Sequence, residues 1–316
     1  MNYRISILFF ALISFACKKE KTIPFDSVKK TDAIENEYLI EAEALLPIIN
    51  NKNIKVIDFR KKQFYNQEHI VGAVQMWRND IEDTSYVYKG MKASAAQIEK
   101  LFGSLGISTN DTLVVYDNKG LCETARLWWI LQTYQFKNIK MLHGGIEAWK
   151  ATQGAVTAEK TVVEPATFKL SETENKHYSI SKEEVLKALD TDNTLLIDTR
   201  TLDEFNGSQL KKGAAKAGRI PKSSHKDWAE AINYKGDQKL KSIETLKNIY
   251  INQFGLKKND SVILYCHSGV RSAHTTFVLT QLLGFKNVRN YDGSWTEWSH
   301  FNELPVVNNR LTKINE

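Results

Sequence analysis

Two stretches of this 316-residue chain repeat each other at a constant offset of 149 residues. LGISTNDTLVVYDNKG (105–120) matches FGLKKNDSVILYCHSG (254–269), and FKNIKMLHGGIEAW (136–149) matches FKNVRNYDGSWTEW (285–298). Upstream, VIDFR (56–60) pairs with LIDTR (196–200) at an offset of 140, and EHIVGA (68–73) with GRIPKS (218–223) at 150. The second copy therefore carries about ten extra residues between those two motifs. A unit of about 120 residues is of domain size and far too long for a solenoid repeat. Whatever one copy folds into, the chain holds twice.

Within each copy, short apolar runs alternate with helical patterns. IKVID, TLVVYD and IKML in the first copy, and TLLID, SVILYC and VRNY in the second, have the β-branched and aromatic character of buried parallel strands. Between them, SAAQIEKLFGSLG, ETARLWWILQTYQF, IETLKNIYINQFG and SAHTTFVLTQLLGF place apolar residues at helical spacing. The expected fold class is α/β, with two tandem doubly wound domains, each a central parallel sheet flanked by helices. The first domain spans 38–150 and the second 178–302, followed by a tail at 303–316. The polar stretch 151–177, without helical period, reads as the connection running across both halves.

The N-terminus reads as an export signal. Arg4 precedes a twelve-residue apolar run, Ile5 to Ala16, too short to span a bilayer but suited to a signal peptide. Ser14 and Ala16 stand just before Cys17, and KKEK follows. This pattern predicts a bacterial lipoprotein signal over 1–16, a lipidated Cys17 and a polar spacer over 17–37. The mature protein would be exported and held at the cell envelope, on the periplasmic side or the outer surface, through lipid alone. Cleavage removes Arg4 and takes the charge from 43 − 37 = +6 to 42 − 37 = +5. The 42% hydrophobic and 25% charged composition is that of a globular protein, and no basic stripe interleaved with aromatics suggests nucleic acid.

With Cys17 acylated, Cys122 and Cys266 remain; two cysteines make no disulfide framework, and no cluster has zinc-ligand spacing. Cys266 sits where the strand SVILY ends and a helix begins near Arg271 or Ser272. Ligand groups collect at the carboxyl ends of strands in open α/β sheets. Gly269 permits the tight curl in which successive N–H groups form an anion-binding nest. The helix N-terminus, His267 and Arg271 add positive potential that favours a thiolate. This places a nucleophile at Cys266.

CHSGVRSAHT followed by YDGSWTEWS, in a two-copy chain, resembles the tandem-domain rhodanese family of thiosulfate and 3-mercaptopyruvate sulfurtransferases over roughly residues 38–302. In that family the N-terminal copy is catalytically silent, with an aspartate at the cysteine position; here Asp117 stands opposite Cys266. Cys122 falls opposite Arg271, and the resemblance gives it no catalytic role. The resemblance implies a Cys266 thiolate that takes the outer sulfur of thiosulfate as a persulfide and yields it to a thiol or cyanide, without metal or organic cofactor. The N–H groups of His267, Ser268, Gly269, Val270 and Arg271 would stabilise that persulfide. A monomer is expected.

The donor is read from the loop. Thiosulfate-specific relatives carry basic residues there, whereas mercaptopyruvate enzymes typically have Cys-Gly-Ser-Gly-Val-Thr and a substrate-binding arginine at the position of Glu204. CHSGVR keeps Ser268, Gly269 and Val270 but has His267 and Arg271, which favours thiosulfate over 3-mercaptopyruvate. Lys211, Lys212, Lys216 and Arg219 could line an anion entrance, with Arg219 the leading candidate because it replaces a family histidine. Arg200 is expected to pair with a carboxylate, and His69 to be structural. A phosphatase loop, Cys-x5-Arg, is one residue longer than the one here. A sulfur relay to a protein partner and a non-catalytic binding protein are the readings from other classes.

Overall fold

The computed structural model describes residues 34–309 apart from Asp192. The expected signal peptide, Cys17 and most of the spacer lie outside the described residues. Among those described, no helix is long and apolar enough to cross a membrane.

Each copy builds a five-stranded parallel sheet, as expected. In the first the spatial order is Leu39–Ile40, Ile139–Leu142, Thr112–Tyr116, Ile54–Asp58, Val74–Gln75. The second repeats that order with Ser179–Ile180, Val288–Tyr291, Ser261–Tyr265, Thr194–Asp198, Ser224–His225. The central strands are buried because helices cover both sheet faces, which is why Leu113 to Tyr116 and Val262 to Tyr265 are continuously apolar or aromatic. The duplication persists to single hydrogen bonds. Ile70 N–H donates to Tyr116 Oη (3.1 Å), and Ile220 N–H to Tyr265 Oη (3.2 Å).

The arginine of each DxR motif closes back on its own aspartate. Arg60 Nη2 lies 2.6 Å from Asp58 Oδ2, and Arg200 Nη2 lies 2.5 Å from Asp198 Oδ2. Arg200 also donates to the Gly218 carbonyl, 2.8 Å away. Both guanidinium groups are buried, so these are internal fasteners, as expected for Arg200. His69 is likewise structural, stacked on Tyr65 with ring centroids 3.6 Å apart and Nδ1 hydrogen-bonded to the Tyr65 carbonyl at 2.7 Å.

The two halves meet through helices Cys122–Thr133 and Val270–Phe277, which pack directly on each other. Every residue of Cys122–Thr133 is buried, the signature of a helix enclosed by protein on all sides. Trp128 fills the contact, edge-on to Phe277 at 5.1 Å and to Tyr38 at 5.8 Å. Two expected α-helices change register: the chain adopts π geometry over Asn248–Gln253 and Val278–Leu282. The connection after residue 150 lies along the first half. Ala166 N–H bonds to Gly103, Asn175 N–H bonds to Thr133, and Phe168 is buried against Phe102 and Phe136.

Candidate active site

Cys266 follows directly on the central strand Ser261–Tyr265 and is 1% exposed. Gly269 adopts φ +71°, which turns the chain at once into a helix starting at Val270, a residue or two earlier than the sequence suggests. A side chain at Gly269 would sit 2.6 Å from Arg126 Nη1 and 2.7 Å from the Asp292 carbonyl, so only glycine fits.

The second matched stretch of the repeat, YDGSWTEW, clamps this loop from outside. Ser294 Oγ accepts from Cys266 N–H (3.1 Å) and Gly269 N–H (3.0 Å). Trp295 N–H donates to the Cys266 carbonyl at 3.0 Å, and Thr296 N–H to the His267 carbonyl at 2.8 Å. Asn290 Nδ2 donates to the Gly269 carbonyl at 3.2 Å. With these carbonyls held outward, the N–H groups of Ser268 and Ser272 are free to point at the sulfur.

Burial alone would push the Cys266 thiol up. The Arg271 guanidinium, the Ser272 hydroxyl and the Ser272 and Ser268 N–H groups outweigh burial and hold the thiol below its ordinary value. His267 contributes no charge at neutral pH, contrary to the sequence expectation. Burial, with Lys211 and Arg271 close by, drives its imidazole down to about 4. Its Nε2 bonds to the Lys212 carbonyl at 3.1 Å, so the neutral ring carries its proton there.

Arg271 is not a free cation either. Its guanidinium grips Glu204 in a two-point ion pair, Nη1–Oε2 2.6 Å and Nη2–Oε1 2.9 Å. Burial would raise the Glu204 carboxyl, but Arg271 holds it at about 2. Among the described residues Lys211, in the same cavity as the sulfur, has no ion-pair partner, and its ammonium is pushed down by burial and by Arg271.

Cys266, His267, Ser268, Val270 and Arg271 line a cavity of about 160 Å³. Its other wall includes Lys211 and Tyr234 from the second half and Arg78, Lys119, Cys122 and Glu123 from the first. Arg78 Nη2 lies 2.5 Å from Glu123 Oε1, which Lys119 also approaches at 3.4 Å. The site is therefore a junction between the two copies.

In the first copy, Asp117 occupies the place of Cys266 and fills the matching ring of amides itself. Its Oδ1 accepts from Lys119 and Leu121 N–H, and its Oδ2 from Glu123 and Thr124 N–H, at 2.9 to 3.2 Å.

The sequence-predicted basic residues divide sharply. Lys211 reaches the cavity, but Lys212 contributes its carbonyl to His267, and Lys216 donates to the Phe301 carbonyl at 3.0 Å. Arg219, the leading candidate from sequence, is corrected. It lies over the Phe205 ring with its centroid 4.4 Å away and donates to Asn309 Oδ1 at 2.9 Å, outside the cavity wall. The antiparallel bridge of Arg219 with Val307 fixes its backbone there. Cys122, given no role from sequence, lies in the cavity wall. Its position opposite Arg271 in the repeat was a signal that it borders the loop.

The Rhodanese-like domain family model matches residues 41–152 and 181–301. The thiosulfate sulfurtransferase of Corynebacterium glutamicum is 30% identical over 302 residues, covering 92% of this chain and 98% of its own. A Mycobacterium leprae protein named for the same activity is 31% identical over 279 residues, covering 86% of this chain and 98% of its own. The crystal structure of SseA from Escherichia coli, titled for the fold and mechanism of 3-mercaptopyruvate sulfotransferases, superposes with a TM-score of 0.69 at 25% identity, over 82% of this chain and 98% of that one. The anaerobic ergothioneine biosynthesis enzyme of Chlorobium limicola shares the fold, with a TM-score of 0.76 at 20% identity, over 88% of this chain and 72% of that one. With both copies matched and Cys266 set at the end of its strand in the second, this chain belongs to the rhodanese family and is a sulfurtransferase of tandem-domain type.

Proposed function

We propose that this enzyme moves the sulfane sulfur of thiosulfate to a thiol or to cyanide through a persulfide on Cys266. The reading is carried by one observation: a buried thiol, held toward its thiolate by Arg271 and by converging N–H groups, that lines a small cationic cavity. The thiolate attacks the outer sulfur of thiosulfate, the sulfur–sulfur bond breaks, and sulfite leaves with its electron pair. The amides that favoured the thiolate then favour the persulfide anion. An acceptor attacks the outer sulfur, and Cys266 departs as thiolate. The chemistry asks for no metal or organic cofactor, and the chain acts as a monomer.

Lys211 supports the choice of an anionic donor, and Glu204 supports thiosulfate over 3-mercaptopyruvate because it occupies Arg271 instead of offering a second guanidinium to a carboxylate. The likeness to the mercaptopyruvate enzyme of Escherichia coli keeps that donor as the second reading. Steady-state rates with each donor decide between them: a higher kcat/KM for thiosulfate is expected, and a strong preference for mercaptopyruvate would reverse the assignment. Cys266→Ser should abolish thiocyanate formation from thiosulfate and cyanide, and retained turnover would sink the nucleophile.

We further propose export and lipidation at Cys17, motivated by Arg4, the short apolar run, Ser14, Ala16 and the hydrophilic residues that follow. One acyl-anchored terminus with a polar spacer would hold the enzyme at a membrane surface. Mass spectrometry of the N-terminal peptide from native membranes tests this; an unmodified Cys17 would reduce it to secretion, and an intact Met1 in cytosol would overturn export.

A further inference from the structure

We propose that Cys122 is a second sulfur-carrying thiol, which takes the outer sulfur from the Cys266 persulfide and leaves Cys266 ready for another donor. The inference rests on the persulfide reading above. Three observations carry it. Cys122 and Cys266 are both free thiols and line the same cavity of about 160 Å³, one from each copy of the repeat. The helix that begins at Cys122, Cys122–Thr133, and the helix that follows Cys266, Val270–Phe277, pack directly together and fix the two walls. Arg271 lines the same cavity, and its charge acts on both sulfurs.

The two thiols are matched for transfer in one direction. Exchange is faster the more acidic the departing thiol, and the attacking thiol acts only through its thiolate. Cys266 is held below its ordinary value. Cys122 is pushed well above it by burial and then by Glu123 and Asp117. In the resting enzyme Cys122 stays protonated, so thiosulfate meets Cys266 first. Persulfide formation extends Cys266 into the cavity by one sulfur–sulfur bond, about 2 Å. Cys122 Sγ then bonds to that outer sulfur, and the bond between the outer sulfur and Cys266 Sγ breaks. The electron pair of the broken bond stays on Cys266, which takes the proton that Cys122 gives up. One thiol and one persulfide enter the step, and one of each leaves it, with no oxidant or reductant. A second thiosulfate can then reload Cys266, so the chain stores two transferable sulfurs at the junction of its halves.

The test loads the full-length purified protein with excess thiosulfate and, in parallel, with inorganic polysulfide, then desalts it without reductant. Cyanide-releasable sulfur is counted, and peptide mass spectrometry locates it. Wild type should carry close to two sulfurs, one on each cysteine, and Cys122→Ala close to one, on Cys266. Cys266→Ser should carry none on Cys122 in either arm. Cys122→Ser, closer in size, repeats the count, and circular dichroism verifies the fold of each variant. A bare Cys122 beside a loaded Cys266, a loaded Cys122 in Cys266→Ser, or a Cys122–Cys266 disulfide with released sulfide would each overturn the relay. If thiosulfate leaves Cys266 bare while polysulfide loads both cysteines of the wild type, the donor reading fails and the relay stands.

Discussion

Arg126, on the central helix of the first copy, lies 2.6 Å through Nη2 from Asp292 Oδ1 in the second. The same side chain donates to the Gly90 carbonyl at 2.8 Å and approaches the Gly269 carbonyl at 3.4 Å. It is 1% exposed. One buried guanidinium thus ties a loop of the first half, the YDG turn and the glycine of the cysteine loop into a single knot. The copy that carries Asp117 at the cysteine position is the brace of the copy that carries Cys266.

Breaking this knot should cost both stability and rate. Arg126→Gln leaves Asp292 buried without its cation, a change that usually destabilises by about 3–5 kcal/mol. Urea unfolding should show the loss, and kcat for thiocyanate formation should fall by about tenfold under conditions where the variant remains folded. Lost stability with an unchanged kcat would mean that the loop holds its shape without Arg126.

Glu204→Gln should sharpen the site. Removing the carboxylate leaves Arg271 unopposed beside the sulfur, so the Cys266 thiol should move further down. The KM for thiosulfate should drop by about tenfold, at the low end of what a partly screened charge pair is worth. Iodoacetamide alkylation followed against pH reads the first effect directly, and a shift to higher pH would contradict the charge argument. Thermal stability should decline, since glutamine keeps the shape of the ion pair but not its charge.

Lys211→Ala removes the cavity cation that has no carboxylate of its own at the sulfur. Charged hydrogen bonds are worth about 1.5–3 kcal/mol, so KM for thiosulfate should rise at least tenfold with a smaller change in kcat. Lys216→Ala, which loses a bond to the Phe301 carbonyl instead, should leave KM unchanged. Equal effects from both would indicate that net surface charge, not position, governs donor capture.

Stability should fall as pH drops from about 6.5 toward 4. His267 and the fully buried His274 are both driven down to about 4, chiefly by burial. The unfolded chain binds protons at these positions below its ordinary value of 6.5, while the folded chain does not until near 4. In that window the unfolded state holds more protons, so stability rises with pH, by a few kcal/mol in all. Glu204, held at about 2, adds a further loss once pH falls below about 4.5. Denaturant midpoints at pH 7, 5.5 and 4.5 check this, and His274→Gln should flatten the curve between 7 and 4.5.

The repeat made the strands legible because each buried strand needs the same short β-branched run, and the 149-residue offset reappears in Thr112–Tyr116 and Ser261–Tyr265. Cys266 was legible because a cysteine at a strand end before a glycine curl has few structural uses. The surroundings were less so. Glu204 reads as an argument about a missing arginine, yet in three dimensions it is the counter-ion of Arg271. His267 reads as a cation, but its charge depends on burial that spacing does not reveal. Arg219 failed because a match to a family position places a backbone, while its long side chain followed Phe205 and Asn309. Cys122 was not placed at the site because repeat equivalence, which pairs it with Arg271, does not say which residues of the two copies share one cavity. The packed helices of the two copies bring it into the same cavity lining as Cys266.

The four amides around Asp117 have a further meaning for how the labour of folding is divided. A ring of N–H groups aimed at one point is costly to hold unless something negative answers it. In the first copy the answer is built into the chain as the Asp117 carboxylate, whose two oxygens accept all four N–H groups. In the second copy the answer is the Cys266 sulfur, whose charge and length change in the proposed persulfide cycle. Duplication has let one chain keep a finished, self-ligated version of the site as the mould against which the working version is held in shape.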